Sequence, residues 1–118
     1  MTWRLLTLST VLFMHATSSA VAHASLIQAS PQPGAVVAGD RVSIELRFDS
    51  RLDARFSGLK LLRADDNQAA LTMESANSPS VLRASGTGLT EGRYVLYWRV
   101  LSVDGHANQG EIKFEVRP

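Results

Sequence analysis

The stretch RVSIELRF, residues 41–48, indicates which kind of fold the chain adopts. Its valine, isoleucine, leucine and phenylalanine fall at every second position, with arginine, serine and glutamate between them. Because successive side chains of a strand point to opposite faces, this period of two predicts a strand with one buried face. Prolines and glycines at Pro31, Pro33, Gly34 and Gly39 mark a turn region before it.

Similar patterns recur along the rest of the chain after residue 23. We predict six further short strands, and no stretch sustains the 3.6-residue period of a helix. About seven short strands separated by turns are typical of an all-β, immunoglobulin-like Greek-key sandwich or barrel. The six further strands are predicted at residues 25–29, 58–63, 70–73, 81–84, 93–102 and 110–116.

The pattern L-x-x-G-x-Y leads into the strongest of these strands. It consists of Leu89, Gly92 and Tyr94. In Greek-key sandwiches a tyrosine at this place often forms hydrogen bonds to nearby backbone, an arrangement called a tyrosine corner. Trp98 follows Tyr94 by four residues, so the two share a face, and we expect Trp98 to pack in the core. Tyr97 falls on the opposite face, and we expect it at the surface.

Residues 1–22 have the composition of a secretory signal peptide. Arg4 precedes a short apolar run, and the segment ends in a small-x-small sequence. The apolar run is shorter than the roughly 20 residues needed to span a bilayer, which argues against an uncleaved membrane anchor. We therefore predict cleavage before His23, export, and a mature domain of residues 23–118.

The composition of the predicted mature domain excludes several classes of function. Its 96 residues suit one small domain, which we expect to be a monomer. They carry 11 basic and 11 acidic side chains, so neither nucleic acid nor an anionic membrane surface is an expected partner. The chain has no cysteine, which excludes disulfides and thiolate metal sites.

Two histidines remain after the predicted cleavage, His23 and His106. As the first residue of the mature chain, His23 offers its α-amine and its ring nitrogen to one metal ion. Asp104 lies two residues before His106, and at extended spacing the two side chains point the same way. The sequence therefore predicts a metal site made of His23, Asp104 and His106. Three nitrogens and one oxygen suit Cu(II), and zinc is the main alternative.

The same three residues are also compatible with functions other than copper binding. Asp-Gly is a common turn pair, so Asp104 and His106 would then belong to a polar turn without metal. An N-terminal histidine is also, by chemical analogy, the metal site of copper-dependent oxidases. Because an aspartate ligand would fill the position that such enzymes keep open, we predict that the chain is not an enzyme. A metal-free interaction module is the third hypothesis, since β-sandwiches serve many functions.

The motifs together resemble those of the CopC family of periplasmic copper-binding and copper-resistance proteins. The resemblance covers nearly all of the predicted mature chain, and its most specific part is W-R-V-x-S-x-D-G-H at residues 98–106. It implies an immunoglobulin-like sandwich or barrel that binds Cu(II) through the amine and ring of His23, Asp104 and His106. The other matching segments are H-A-x-L at 23–26, S-P-x-P-G at 30–34, the strand at 42–48, G-x-Y at 92–94, Gly110 and Phe114.

The resemblance also implies a cellular role. It suggests a periplasmic copper carrier or buffer in copper homeostasis or resistance, with a CopD-type inner-membrane protein as a possible partner. Some family members also hold Cu(I) in a methionine-rich stretch. After loss of Met1 and Met14 with the signal peptide, this chain keeps Met73 alone. One thioether is too few for a Cu(I) site, so we predict a Cu(II)-only protein in which Met73 packs rather than binds metal.

Overall fold

Two β-sheets lie face to face in residues 24–118, the part of the chain that the computed structural model describes. The predicted signal peptide and His23 lie outside the described residues. A short 3-10 helix, Ala54–Phe56, precedes the fourth strand. The nine strands are β1 Leu26–Ser30, β2 Val36–Ala38, β3 Val42–Phe48, β4 Gly58–Arg63, β5 Gln68–Ala69, β6 Leu71–Glu74, β7 Val81–Gly86, β8 Gly92–Leu101 and β9 Ala107–Arg117.

The order of the strands confirms the predicted all-β Greek-key sandwich. One sheet has the order β1-β3-β7-β6, and the other has the order β2-β9-β8-β4-β5. Neighbouring strands are antiparallel except for β2 and β9, which run parallel. Within residues 24–118 no helix is long and apolar enough to cross a membrane.

The predicted number of strands, about seven, was too low. The two additional strands are β2 and β5, which have three and two residues and lie at the two edges of the five-stranded sheet. A strand this short shows no alternation in sequence, and its place depends on a distant partner. The register of β2, for example, is Val36 opposite Glu115 at the far end of the chain.

The alternating residues of β3 and β8 form the centre of the core. In both strands every second side chain is buried between the sheets. The ring of Trp98 packs edge-on against that of Phe48 with centroids 5.2 Å apart, so one aromatic contact joins the two sheets. Trp98 is therefore a core residue, as predicted, and Tyr97 is 40% exposed on the other face. The buried residues of the two strands are Val42, Ile44, Leu46, Phe48, Tyr94, Leu96, Trp98 and Val100.

Tyr94 forms the predicted tyrosine corner. Its hydroxyl donates to the carbonyl oxygen of Thr90 at 2.8 Å and accepts from the N–H of Thr90 at 3.0 Å. The ring itself is buried and stacks on Phe114 of the next strand, with centroids 5.7 Å apart. The corner therefore ties the loop before β8 to the core.

We expect Tyr94→Phe to lower the free energy of unfolding by about 1–3 kcal/mol, because the Thr90 N–H and C=O lose their shared partner. The measurement is urea denaturation followed by tryptophan fluorescence. Tyr97→Phe removes a hydroxyl from the outer face of the same strand and is the matched control, with an expected change within about 0.5 kcal/mol. Equal losses in the two variants would contradict a stabilising corner.

Candidate metal centre

The loop between β8 and β9 carries Asp104 and His106. The two strands pair along their whole length, so residues 102–106 form the connection at their end. The N–H of Ser102 donates to the carbonyl of His106 at 2.8 Å, and the N–H of Gly105 donates to the carbonyl of Ser102 at 2.9 Å. Gly105 has a φ of +92°, which side chains other than glycine rarely permit. A tight turn thus forms at the Asp-Gly pair and places Asp104 and His106 together.

Asp104 and His106 lie close enough to bind one ion. His106 Nδ1 is 3.2 Å from Asp104 Oδ1. The His106 and Asp104 side chains are 41% and 46% exposed, but Nδ1 itself is buried. Two donors about 2.0–2.1 Å from a metal lie about 2.9 Å apart at a right angle and about 3.3 Å apart in a tetrahedron. The observed separation falls between these values, so its length is compatible with neighbouring positions of either tetragonal Cu(II) or tetrahedral zinc. In this structure the contact is a hydrogen bond from the His106 ring to the Asp104 carboxylate, and a metal bound at Nδ1 would replace it.

Ser102 holds the Asp104 carboxylate and the His106 backbone from the core side. It is 2% exposed, and among residues 24–118 it is the one polar residue that is fully buried. Its hydroxyl donates to Asp104 Oδ1 and accepts from the N–H of His106 at 3.2 Å. Ser102 was not predicted from the sequence to be part of the site. The available signal was that it continues the core-facing row of β8, two residues beyond the buried Val100.

These hydrogen bonds hold the pKa of Asp104 below its ordinary value. The Ser102 hydroxyl has the largest effect, and the His106 ring follows. Asp104 is therefore ionised at neutral pH and can serve as an anionic ligand. A depressed pKa stabilises the folded state above the unfolded-state pKa of the carboxyl, and this stabilisation is lost as the pH falls through the folded-state pKa.

We expect Ser102→Ala to raise the pKa of Asp104 toward its ordinary value, because the strongest donor to the carboxylate is removed. The measurement is a pH titration of the Asp104 carboxyl by NMR in metal-free protein. Ser43→Ala, which changes an exposed serine on the outer face of β3, should leave that pKa unchanged. An unshifted pKa in Ser102→Ala would show that His106 alone controls the carboxylate.

Ala24, the first described residue, is held at the start of β9, next to the loop that carries Asp104 and His106. Ala24 is fully buried, and its carbonyl accepts from Asn108 Nδ2 at 2.9 Å. The next residue is bound through Asp49: the N–H of Ser25 donates to Asp49 Oδ1 at 2.7 Å, and the N–H of Asp49 donates to the Ser25 carbonyl at 3.0 Å. Neither Asn108 nor Asp49 was predicted from the sequence to take part in the site.

The structure brings together two of the three predicted ligands. Asp104 and His106 converge, whereas His23 lies outside the described residues. Within residues 24–118, no group of three or more histidine, cysteine, aspartate or glutamate side chains could hold a metal ion. A metal site of higher coordination at this loop therefore requires donors from elsewhere in the chain, from solvent or from a partner.

Comparison with known proteins identifies the family. The sequence model of the CopC domain matches residues 26–117. The chain belongs to the CopC family. Copper resistance protein C of Xanthomonas campestris pv. juglandis is 33% identical over 110 residues, which cover 86% of each chain. This result confirms the family predicted from the motifs, a family of copper resistance proteins rather than enzymes.

Solved CopC structures share the fold. The crystal structure of CopC from Methylosinus trichosporium OB3b is 30% identical, covers 81% of this chain and 95% of its own, and superposes with a TM-score of 0.74. PcoC, a methionine-rich copper resistance protein from Escherichia coli, is 28% identical, covers 81% of this chain and all of its own, and gives a TM-score of 0.67. The immunoglobulin-like sandwich predicted from the sequence is thus the CopC fold.

Met73 does not pack as predicted from the sequence. It lies in β6, an edge strand of the four-stranded sheet, and its side chain is 48% exposed. The β6 strand lies at the edge of its sheet, and three of its four residues are exposed, so it lacks the alternation of a strand with one buried face. Unlike PcoC, which is methionine rich, this CopC chain has no second methionine in residues 24–118.

Proposed function

We propose that the mature protein begins at His23 and binds one Cu(II) ion through the His23 α-amine and ring, Asp104 and His106. It would act as a periplasmic copper carrier or buffer. The observation that carries this proposal is the 3.2 Å separation of Asp104 Oδ1 and His106 Nδ1 on an exposed loop of a CopC-family fold. Cleavage after residue 22 belongs to the proposal, since only a free N-terminus offers the amine.

The anchoring of Ala24 supports a ligand from the N-terminus. The Ala24 carbonyl is hydrogen-bonded to Asn108, which lies two residues after His106, at the start of β9. Two residues of extended chain span about 7 Å, and neighbouring Cα atoms are about 3.8 Å apart. A residue attached to Ala24 is therefore within reach of a metal at His106.

Cu(II) is favoured over other ions by the donor set. Two imidazoles, an amine and a carboxylate form a tetragonal N,O site, and Cu(II) has the highest affinity of the common divalent ions for such donors. The chain has no cysteine, and its single methionine after residue 22 lies in β6 of the other sheet. Soft sulfur ligands for Cu(I) are thus too few, which supports a Cu(II)-only protein.

The exposure of the site supports a role in copper transfer. Asp104 and His106 project from the end of the sandwich with about half of each side chain in solvent. An ion held there is accessible to a second protein, and a CopD-type inner-membrane protein is the partner we propose. The protein would act as a monomer in the periplasm, either delivering copper to that partner or limiting free copper.

Titration of the mature protein with Cu(II), followed by electron paramagnetic resonance, tests the proposed site. We expect one equivalent to bind tightly and to give a tetragonal spectrum with nitrogen couplings. Asp104→Asn and His106→Ala should each weaken binding, whereas Asp40→Asn, which changes an exposed aspartate in the turn before β3, should not. The three variants should retain the circular dichroism spectrum of the unaltered protein.

Two results would overturn the proposal. The first is weak binding of Cu(II) that His106→Ala leaves unchanged. The second is retention of zinc in competition with an equal concentration of Cu(II), because a tetragonal site with three nitrogens prefers copper.

A further inference from the structure

We propose that Asn108 is a positioning residue that holds the N-terminal end of the mature chain against the metal loop. This inference rests on the proposed copper site and adds a residue that is not itself a ligand. Its function would be to keep the donors of His23 beside Asp104 and His106 before the metal arrives.

Asn108 has an unusual place in β9. The side chains at 112, 114 and 116 on the same face are buried in the core, and Asn108 lies at the end of this row, opposite the fully buried Val100. A partly buried polar group needs hydrogen-bond partners, because its desolvation is otherwise uncompensated. An asparagine at this position therefore indicates a specific polar contact rather than packing.

The amide of Asn108 is bound at both ends. Its Oδ1 accepts from the N–H of Gln109 at 2.9 Å, and its Nδ2 donates to the carbonyl of Ala24 at 2.9 Å. The first bond orients the amide within its own strand, and the second connects two points that are 84 residues apart in sequence. The side chain is thus an oriented link between β9 and the start of the described chain.

This link is the described hydrogen bond nearest to His23, and it acts together with the burial of the Ala24 side chain in the core. Asp49 binds the backbone of Ser25, one residue farther along, whereas Asn108 binds the carbonyl of Ala24, the residue bonded directly to His23. Chain termini fray unless they are held. A ligand at a fraying end loses affinity, because only the fraction of chains with the end in place can bind. Fixing Ala24 therefore preorganises the amine and ring of His23 for the metal.

A double-mutant cycle tests the role of Asn108. Four proteins are compared by Cu(II) titration: the mature chain starting at His23, the same chain with one extra glycine ahead of His23, and the Asn108→Ala variant of each. Because Asn108 acts through the N-terminal donors, Asn108→Ala should lower the affinity of the mature chain about 10–100-fold. In the glycine-extended chain the chelate of the His23 amine and ring can no longer form, so Asn108→Ala should change the affinity less than about threefold.

Two further variants complete the test. Gln109→Ala changes the exposed neighbour of Asn108 and should leave the affinity of the mature chain unchanged. Asn108→Asp keeps the size of the side chain but replaces the donating amide by a carboxylate, which only accepts. It should weaken binding as Asn108→Ala does, and it provides a second test if Asn108→Ala folds poorly. The nitrogen couplings in the electron paramagnetic resonance spectrum should be altered in both Asn108 variants. Thermal unfolding of the metal-free proteins checks that each variant is folded.

The possible outcomes separate the two proposals. Equal binding by the mature and extended chains would overturn the N-terminal ligand and, with it, the role of Asn108. If the mature chain binds more tightly than the extended one but Asn108→Ala affects both equally or neither, the copper site stands and the positioning role of Asn108 is overturned.

Discussion

Adding one residue ahead of His23 should lower the affinity for Cu(II) by more than about 100-fold. The extra residue converts the α-amine into an amide, so the chelate formed by the amine and the His23 ring can no longer close. Loss of a group that merely supports a ligand lowers metal affinity about 10–100-fold, and loss of a direct donor should exceed this. The other predicted donors, Asp104 and His106, are unchanged and lie 3.2 Å apart, so weak residual binding is expected.

Titrations of the two proteins against a competing chelator measure this effect. Both are made by site-specific proteolysis of a tagged precursor, so that either His23 or a single additional glycine is the first residue. A protein extended at its C-terminus, after Pro118, is the matched control and should bind as tightly as the mature chain. Equal affinities for the two N-terminal forms would show that the amine is not a ligand, and the site would then consist of side chains alone.

Gly110→Ala should destabilise the protein by about 3 kcal/mol, the upper part of the range for overpacking a core. Gly110 lies directly opposite Trp98 in the β8–β9 pair, and the indole covers it. A Cβ atom at Gly110 would lie 2.7 Å from Trp98 Cε2 and 3.0 Å from Nε1, well inside van der Waals contact. The indole cannot easily move away, because its other side packs against Phe48 of the facing sheet.

Thermal and urea unfolding of metal-free protein measure the effect of Gly110→Ala. For a domain of this size, about 3 kcal/mol corresponds to a decrease in Tm of roughly 12–24 °C. Gly58→Ala is the matched control: Gly58 also lies in the five-stranded sheet, but a Cβ there meets no heavy atom within 4 Å. Its stability should change by less than about 1 kcal/mol. Comparable Tm values for the two variants would contradict the close packing of Trp98 on Gly110.

The fold could be predicted from the sequence wherever burial follows a local rule. In β3 every second residue is buried, and the alternation of RVSIELRF states this directly. Tyr94 and Trp98 were placed correctly for the same reason. The edge strands β2 and β5 could not be predicted in this way, because three or two residues hold no periodic signal and β2 is defined by pairing with β9 about 80 residues later.

The candidate site could be predicted only in part. Asp104 and His106 stand two residues apart in sequence, and the structure places Asp104 Oδ1 3.2 Å from His106 Nδ1. Their proximity comes from a turn with a φ of +92° at Gly105, not from the extended spacing on which the prediction was based. The contacts of Ala24 with Asn108 and of Ser25 with Asp49 join residues that are 84 and 24 positions apart. A local sequence pattern cannot predict contacts between residues so far apart in sequence. His23 as a ligand stays a prediction, because it lies outside the described residues.

The parallel pairing of β2 with β9 determines when the five-stranded sheet can be completed during folding. The five-stranded sheet receives its edge strand β2 only after β9, the last strand of the chain, is available, and β9 also supplies the partner for β8 and for Ala24. Contacts of such large sequence separation make folding slow, in the range of milliseconds to seconds. The domain therefore stays incompletely folded until β9 has been synthesised, and a copy truncated before β9 would expose the unpaired edges of both β2 and β8 to aggregation.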